Sequence, residues 1–76
     1  MRKQQKALTA ERVCMHLAEN ATDVMDDEVC RYWAGRFGAL ATYSGFLSTQ
    51  QIMSEIADAT EAIHGFGEAY AESSMS

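Results

Sequence analysis

The 76-residue chain contains no proline, and it also lacks the strict alternation of apolar and polar residues that marks a half-buried β-strand. Apolar residues instead recur every three or four positions through almost the whole chain, which is the periodicity of an α-helix. We therefore predict an all-α fold, a small bundle of about three helices.

Lysine and arginine are absent after Arg36, so every cation lies in the first half of the chain. The second half instead carries five carboxylates, namely Glu55, Asp58, Glu61, Glu68 and Glu72. If one continuous helix bears them, they lie broadly opposite its apolar side. Such a surface cannot neutralise itself, and it favours a positively charged partner over nucleic acid or an anionic membrane. The alternative is a solvated face that serves solubility alone.

Cysteine is scarce and long apolar runs are missing, which bears on where the protein acts. Cys14 and Cys30 are too few for a disulfide framework, and each lies among apolar neighbours, where a reduced thiol behaves as a small hydrophobe. The longest uncharged stretch, residues 37–54, is too rich in serine, threonine and glutamine for a membrane span, and we find no pattern of a secretion signal. We expect a cytoplasmic protein that does not contact membranes.

The sequence also lacks the spacings that carry catalysis or metal binding. Cys14 and His16 point to opposite sides of one helix, and Cys30 and His64 have no matching ligand close in sequence. No glycine-rich phosphate loop, nucleophile elbow or triad pattern is present. We predict no cofactor, no metal site and no enzymatic activity.

The length sets the domain organisation. Seventy-six residues make a single domain, residues 1–76, with a core that only marginally offsets the entropy of ordering the chain. We therefore expect a homodimer or a permanent partner to add stability. The basic arm at residues 1–6 and the tail at residues 72–76 are expected to be flexible.

Two of the helices are predicted from apolar stripes. The first stripe consists of Ala10, Val13, Cys14, Leu17, Ala21 and Val24. The second helix begins at Asn20 or at the acidic residues 26–28, since both can cap free amides. Its stripe consists of Val29, Cys30, Trp33, Phe37, Leu40 and Ala41. Gly45 is predicted to end it.

The third helix has the clearest start. Ser48 and Gln51 have the spacing of a capping box, so the helix is predicted to begin at Thr49. Its apolar side has heptad spacing and consists of Ile52, Ile56, Ala59, Ile63, Phe66 and Tyr70. Gly65 is a candidate end, with a short further turn after it. We expect the bundle to pack through Trp33, Phe37, Ile52, Ile56 and Ile63.

Four residues of the second helix form a candidate contact set: Tyr32, Trp33, Arg36 and Tyr43. Helical spacing puts Arg36 between aromatic neighbours on the apolar side, and these residue types dominate interface energetics. One interpretation is therefore a partner-binding surface. The other places Trp33 in the core, with the Arg36 stem crossing the core to reach water or an acidic group of the third helix.

These patterns favour binding without catalysis. Our leading hypothesis is a small regulatory or inhibitory protein that docks its acidic face and the nearby aromatic residues on a basic surface of a nucleic-acid-handling protein, in competition with nucleic acid. Anti-defence and anti-activator proteins of phages and plasmids are analogous in size and charge alone.

Two further hypotheses stand beside it. A helical homodimer could bind RNA or DNA through a basic N-terminal arm, using Arg2, Lys3, Lys6 and Arg12, in spite of a net charge of −5. Residues 1–6, Met-Arg-Lys-Gln-Gln-Lys, resemble the start of the small plasmid-encoded RNA-binding helical hairpin proteins, and the rest of the chain departs from them. The third hypothesis is a structural adaptor subunit whose apolar side packs on a partner helix.

Overall fold

A computed structural model describes residues 1–75, and all of the regular structure in this range is helical. It contains the helices α1 (Lys3–Glu19), α2 (Val24–Thr42), α3 (Thr49–Ala62) and α4 (Phe66–Met75), and a 3-10 turn (Ser44–Phe46) lies between α2 and α3. The Cα radius of gyration is 11.5 Å, close to the value of about 11 Å expected for a folded domain of this length. The all-α prediction is confirmed, and the chain forms a helical bundle.

The helices α1 and α2 pack on each other through small side chains. The buried residues of α1 include Ala7, Ala10, Cys14 and Ala18, and those of α2 include Cys30, Ala34 and Ala41. Small side chains let two helix backbones come close. The carboxylate of Glu11 lies so near Gly38 of α2 that a Cβ at this glycine would be 2.6 Å from Glu11 Oε2. The helices α3 and α4 then pack against this pair of helices.

Larger side chains from α2, α3 and α4 complete the core. Phe37, Ile52, Ile56, Ile63 and Phe66 are all buried, and Trp33 is partly buried against them. Four rings follow one another across the bundle at centroid distances of 5.6–5.9 Å: Trp33, Phe37, Phe66 and Tyr70. The predicted packing through Trp33, Phe37 and the three isoleucines is thus observed, and the apolar side of α3 is used inside the chain.

The start of α3 is the one that the sequence predicts. The Ser48 hydroxyl accepts a hydrogen bond from Gln51 N at 3.0 Å, and the Gln51 side chain accepts one from Ser48 N at 2.7 Å. These two bonds satisfy amides that would otherwise lack partners at the helix start.

The third helix is interrupted at Gly65, the candidate end that the sequence offers. The helix α3 ends at Ala62, Gly65 follows with a positive φ of 83°, and α4 extends to Met75, beyond the single short turn predicted there. Glycine is the residue that adopts this left-handed conformation at little cost. Two helices therefore carry the five carboxylates, and the single continuous face on which their common orientation depended does not form.

The other predicted boundaries are shifted. Asp23 caps α2 by accepting a hydrogen bond from Met25 N at 2.7 Å, so neither Asn20 nor residues 26–28 begin the helix. Val24 is consequently 73% exposed and lies outside the α1 stripe to which we assigned it. At its other end α2 stops at Thr42, and Gly45 falls within the 3-10 turn. The predicted basic arm is partly helical too, since α1 begins at Lys3.

Candidate binding surfaces

Three of the four residues in the predicted contact set line one shallow groove. This aromatic groove has a volume of about 390 Å³ and lies between the second half of α2 and the segment that enters α3. Its walls are mainly apolar and consist of Tyr32, Arg36, Ala39, Leu40, Tyr43 and Leu47. Trp33 is not part of the lining, and its ring and that of Tyr32 meet nearly at right angles with centroids 5.7 Å apart. The structure therefore brings Tyr32, Arg36 and Tyr43 together in one groove, and Trp33 contacts it through Tyr32.

Arg36 forms an ion pair across the two helices. Its Nε donates to Glu55 Oε1 at 2.5 Å, and its Nη2 donates to Glu55 Oε2 at 2.7 Å. Two parallel bonds between a guanidinium and a carboxylate fix the geometry as well as the charge. The contact with an acidic group of the third helix, which belongs to our second interpretation of Arg36, is observed. Glu55 is accordingly neutralised within the chain. The partner-binding interpretation stays a prediction.

The pair changes the proton affinity of both partners. Hydrogen bonding from Arg36 lowers the pKa of Glu55, against an opposing effect of partial burial, and the same bond raises the pKa of Arg36. A carboxylate whose pKa is lowered on folding stabilises the fold above its unfolded pKa, and this contribution is lost as the pH falls through the folded pKa.

We therefore expect the Arg36–Glu55 pair to weaken in acid. At neutral pH wild-type protein should be more stable than a Glu55→Gln variant, and this advantage should shrink as the pH falls from above 4.5, the ordinary pKa of a glutamate, to below the lowered pKa of Glu55. Urea denaturation of both proteins at pH 7 and pH 3 measures the difference. Comparing the two proteins at each pH cancels the titration of the other carboxylates. An advantage that is equal at both pH values would contradict the assigned cause.

The remaining carboxylates do not share one helix face. Asp58 and Glu61 lie three residues apart on the exposed side of α3, and Glu68 lies exposed in the first turn of α4, where the helix dipole favours a negative charge. Among residues 1–75, no ion pair joins these three to a cation. We call Asp58, Glu61 and Glu68 the outer carboxylates. Unlike Glu55, they are available to a partner.

Glu72 lies elsewhere. It lines a groove between α1 and α4 together with Arg12 and His16, and it has contacts of its own within the chain. The acidic residues predicted from the sequence thus divide into three environments: the pair with Arg36, the outer carboxylates and the α1–α4 groove.

The cations of the alternative nucleic-acid hypothesis are partly engaged within the chain. Lys3 Nζ donates to Leu47 O at 2.8 Å, and Arg12 Nη2 donates to the Thr9 hydroxyl at 3.4 Å. Arg2 is exposed and Lys6 is half-buried. Two of the four cations thus have hydrogen-bond partners within the chain, and direct nucleic-acid binding stays a prediction that rests on the sequence.

The cysteines are buried, free thiols. Burial raises the pKa of Cys14 to about 12, and burial is also the main cause that raises the pKa of Cys30. Since the thiolate is the nucleophile and the metal ligand, both shifts disfavour the form of cysteine that reacts or binds metal. Within residues 1–75, no three His, Cys, Asp or Glu side chains are grouped in a way that could hold a metal ion.

Phe46 is an exposed aromatic residue that none of the sites predicted from the sequence includes. Phe46, in the 3-10 turn, is 89% exposed, and the two residues that flank this turn, Tyr43 and Leu47, belong to the aromatic groove. A weak signal was present, because Phe46 falls between the predicted end of one helix at Gly45 and the capping box at Ser48. Because such a residue belongs to neither helix, helical periodicity does not predict that it is buried.

Comparison with models of known protein families gives no match, and comparison with curated proteins and with solved structures finds no significant similarity. Among residues 1–75 there is no helix with both the length and the apolar character needed to cross a bilayer. The structure thus defines an all-α helical bundle. It has two candidate contact surfaces, which are the aromatic groove and the outer carboxylates.

Proposed function

We propose that this chain is a small, non-catalytic regulatory or inhibitory protein that binds a basic protein surface through its outer carboxylates. The observation that carries the proposal is that Asp58, Glu61 and Glu68 are exposed on two helices that contain no lysine or arginine, and have no ion-pair partner in the described chain. A surface of one sign attracts a partner of the opposite sign and speeds the encounter with it.

The charge of this chain indicates the kind of partner that it would bind. From Val24 to Met75 the chain carries eight carboxylates against two arginines, Arg31 and Arg36, and each arginine is paired with a carboxylate of its own chain. The excess of negative charge therefore faces outward. Protein surfaces rich in lysine and arginine are commonly those that hold nucleic-acid phosphates. A nucleic-acid-handling protein of the host is accordingly the proposed target, and occupation of its basic surface would exclude nucleic acid.

The test is capture of the target by variants that differ only in the placement of charge. Asp58→Lys with Glu61→Lys should weaken binding of the captured protein by at least about tenfold, because cations then face cations. Glu19→Lys with Glu28→Lys makes the same change in net charge at exposed positions of α1 and α2, and it should preserve most of the binding. Affinity is measured with the purified target after its identification by mass spectrometry in a host lysate, and all variants are checked for helicity and melting temperature.

A second measurement separates inhibition from simple attraction. Duplex DNA or RNA added to the purified complex should release the target, since both ligands use the same basic surface. Equal binding by both double variants, or a target that binds nucleic acid and this protein at once, would contradict the proposed function.

A further inference from the structure

The exposed Phe46 ring and the aromatic groove lie next to each other at the end of α2. The groove is walled by Tyr43 and Leu47, which flank the 3-10 turn, and Phe46 is 89% exposed in that turn. Its side chain does not fill the groove of its own molecule, although the groove is only a few residues away along the chain.

The turn fixes the backbone that carries this ring. Phe46 N donates to Tyr43 O at 2.9 Å, Leu47 N donates to Ser44 O at 3.1 Å, and Lys3 Nζ fixes Leu47 O from α1. Ser44, inside the turn, is buried. Because the backbone of the turn is already ordered, burial of the ring by another molecule adds little backbone entropy cost.

The groove has room for such a ring. Its volume is about 390 Å³, and it is an open groove, so a ring can lie against its walls without entering an enclosed cavity. The lining offers two tyrosine rings, Tyr32 and Tyr43, and the apolar side chains of Leu40 and Leu47. Aromatic pairs of this kind contribute beyond the area that they bury.

A surface that carries both a projecting ring and a groove for it can pair with a second copy of itself across a two-fold axis. In an isologous contact, residue i of one copy meets residue j of the other, and j meets i in return. A two-fold axis between the turn and the groove therefore places each Phe46 into the groove of the other copy.

The charge of this region permits contact between like molecules. Each copy has a net charge of −5, so contact between their acidic sides is disfavoured. At the groove Arg36 and Glu55 neutralise each other, and Lys3, whose Nζ donates to Leu47 O, adds one positive charge to a chain that is negative overall. Asp58 lies about 14 Å along α3 from Thr49, the residue at which the helix begins next to the turn.

We propose that the chain forms a two-fold homodimer in which Phe46 of each copy occupies the aromatic groove of the other. The contact gives the small domain the extra apolar burial that its length calls for. It also leaves the outer carboxylates of both copies exposed, so the dimer interface and the proposed partner-binding surface are separate.

Sedimentation equilibrium tests the dimer. The mass of wild-type protein should rise from 8.4 kDa to twice this value with increasing concentration, and Phe46→Ala should raise the dimer dissociation constant by about 30-fold or more, as for an interface hot spot. Val24→Ala removes an apolar side chain that is 73% exposed at the other end of α2, and it should leave the dissociation constant unchanged. A wild-type protein that stays monomeric, or a Phe46→Ala dimer as tight as wild type, overturns the proposal.

A mixing experiment separates reciprocal insertion from a merely adhesive patch. Ala39→Glu puts a charged side chain into the groove at an exposed helical position while Phe46 is kept. Each single variant loses both contacts of the dimer, but a mixture of Phe46→Ala with Ala39→Glu retains one intact ring in one intact groove. The mixture should form a heterodimer more tightly than either variant forms a homodimer. A mixture no tighter than its components, or a groove that binds only foreign aromatic peptides, contradicts the second copy as occupant.

Failure of this experiment would be distinct from failure of the proposed function. The charge reversals at Asp58 and Glu61 leave Phe46 and the groove intact, whereas Phe46→Ala and Ala39→Glu leave the outer carboxylates in place.

Discussion

Replacement of Phe37 by alanine is expected to lower the free energy of unfolding by about 3–5 kcal/mol, the cost of truncating a fully buried aromatic side chain. The Phe37 ring is 0% exposed, and it stands between the rings of Trp33 and Phe66 at centroid distances of 5.6 and 5.9 Å. Its loss leaves a cavity between α2 and α4, and it removes the ring that connects Trp33 with Phe66. Since whole domains are stable by only about 5–15 kcal/mol, this loss removes a large part of the stability of the fold. Urea denaturation followed by circular dichroism measures the effect.

Phe46→Ala is the matched control for this prediction, because the same atoms are removed from a ring that is 89% exposed. At protein concentrations below those that favour a dimer, its unfolding midpoint should stay close to that of wild type. If the two variants lose similar stability, the assignment of Phe37 to the core and of Phe46 to the surface is wrong.

The contrast between these two phenylalanines shows how far the sequence is informative. Phe37 belongs to a stripe of apolar residues at helical spacing, so its burial follows from periodicity alone. Phe46 lies outside both stripes, and the 3-10 turn that carries it is tied at Leu47 O to Lys3, which is distant in sequence. Local patterns place Phe46 between two helices but carry no information about this long-range contact.

The same distinction applies to helix boundaries. The start of α3 depends on two hydrogen bonds between Ser48 and Gln51, three residues apart, and the sequence predicts it correctly. The α1 stripe was less well predicted, since Ala7 and Ala18 are buried in place of Ala21 and Val24. Alanine is compatible with either side of a helix, so its burial is decided by which neighbouring backbone comes close.

The candidate site was also only partly predictable. Tyr32, Arg36 and Tyr43 were grouped correctly because they share one side of a single helix. The carboxylates were not, because their grouping required a helix that continues through Gly65, and this residue adopts a φ of 83° that ends it. The pairing of Arg36 with Glu55 was one of two open interpretations, and 19 residues separate the partners.

The two proposed surfaces fit together in one assembly. A dimer formed at the end of α2 would present two sets of outer carboxylates, and a partner with two basic sites, or a two-fold partner, would then bind both sets at once. Binding of the second set is intramolecular and gains an effective concentration. Phe46→Ala should therefore weaken capture of such a partner indirectly, although it removes no charge.

Replacement of Ala10 by leucine is expected to destabilise the protein by about 2–3 kcal/mol, the upper part of the range for overpacking a closed interior. Ala10 is 0% exposed on α1, the helix that packs closely on α2 through small residues such as Ala34. The added carbons of leucine have no space unless the two backbones separate, and separation would disturb the packing of the larger side chains above them. Urea denaturation measures the loss.

Ala57→Leu provides the control, because Ala57 is exposed on α3 and leucine has nearly the helix propensity of alanine. This variant should unfold at nearly the wild-type urea concentration, so a difference between the two leucine variants reports space rather than propensity. Equal stability of both would mean that α1 and α2 are separated widely enough to admit a larger side chain. In that case the close approach of Glu11 to Gly38 would have to be a local contact and not a property of the whole helix pair.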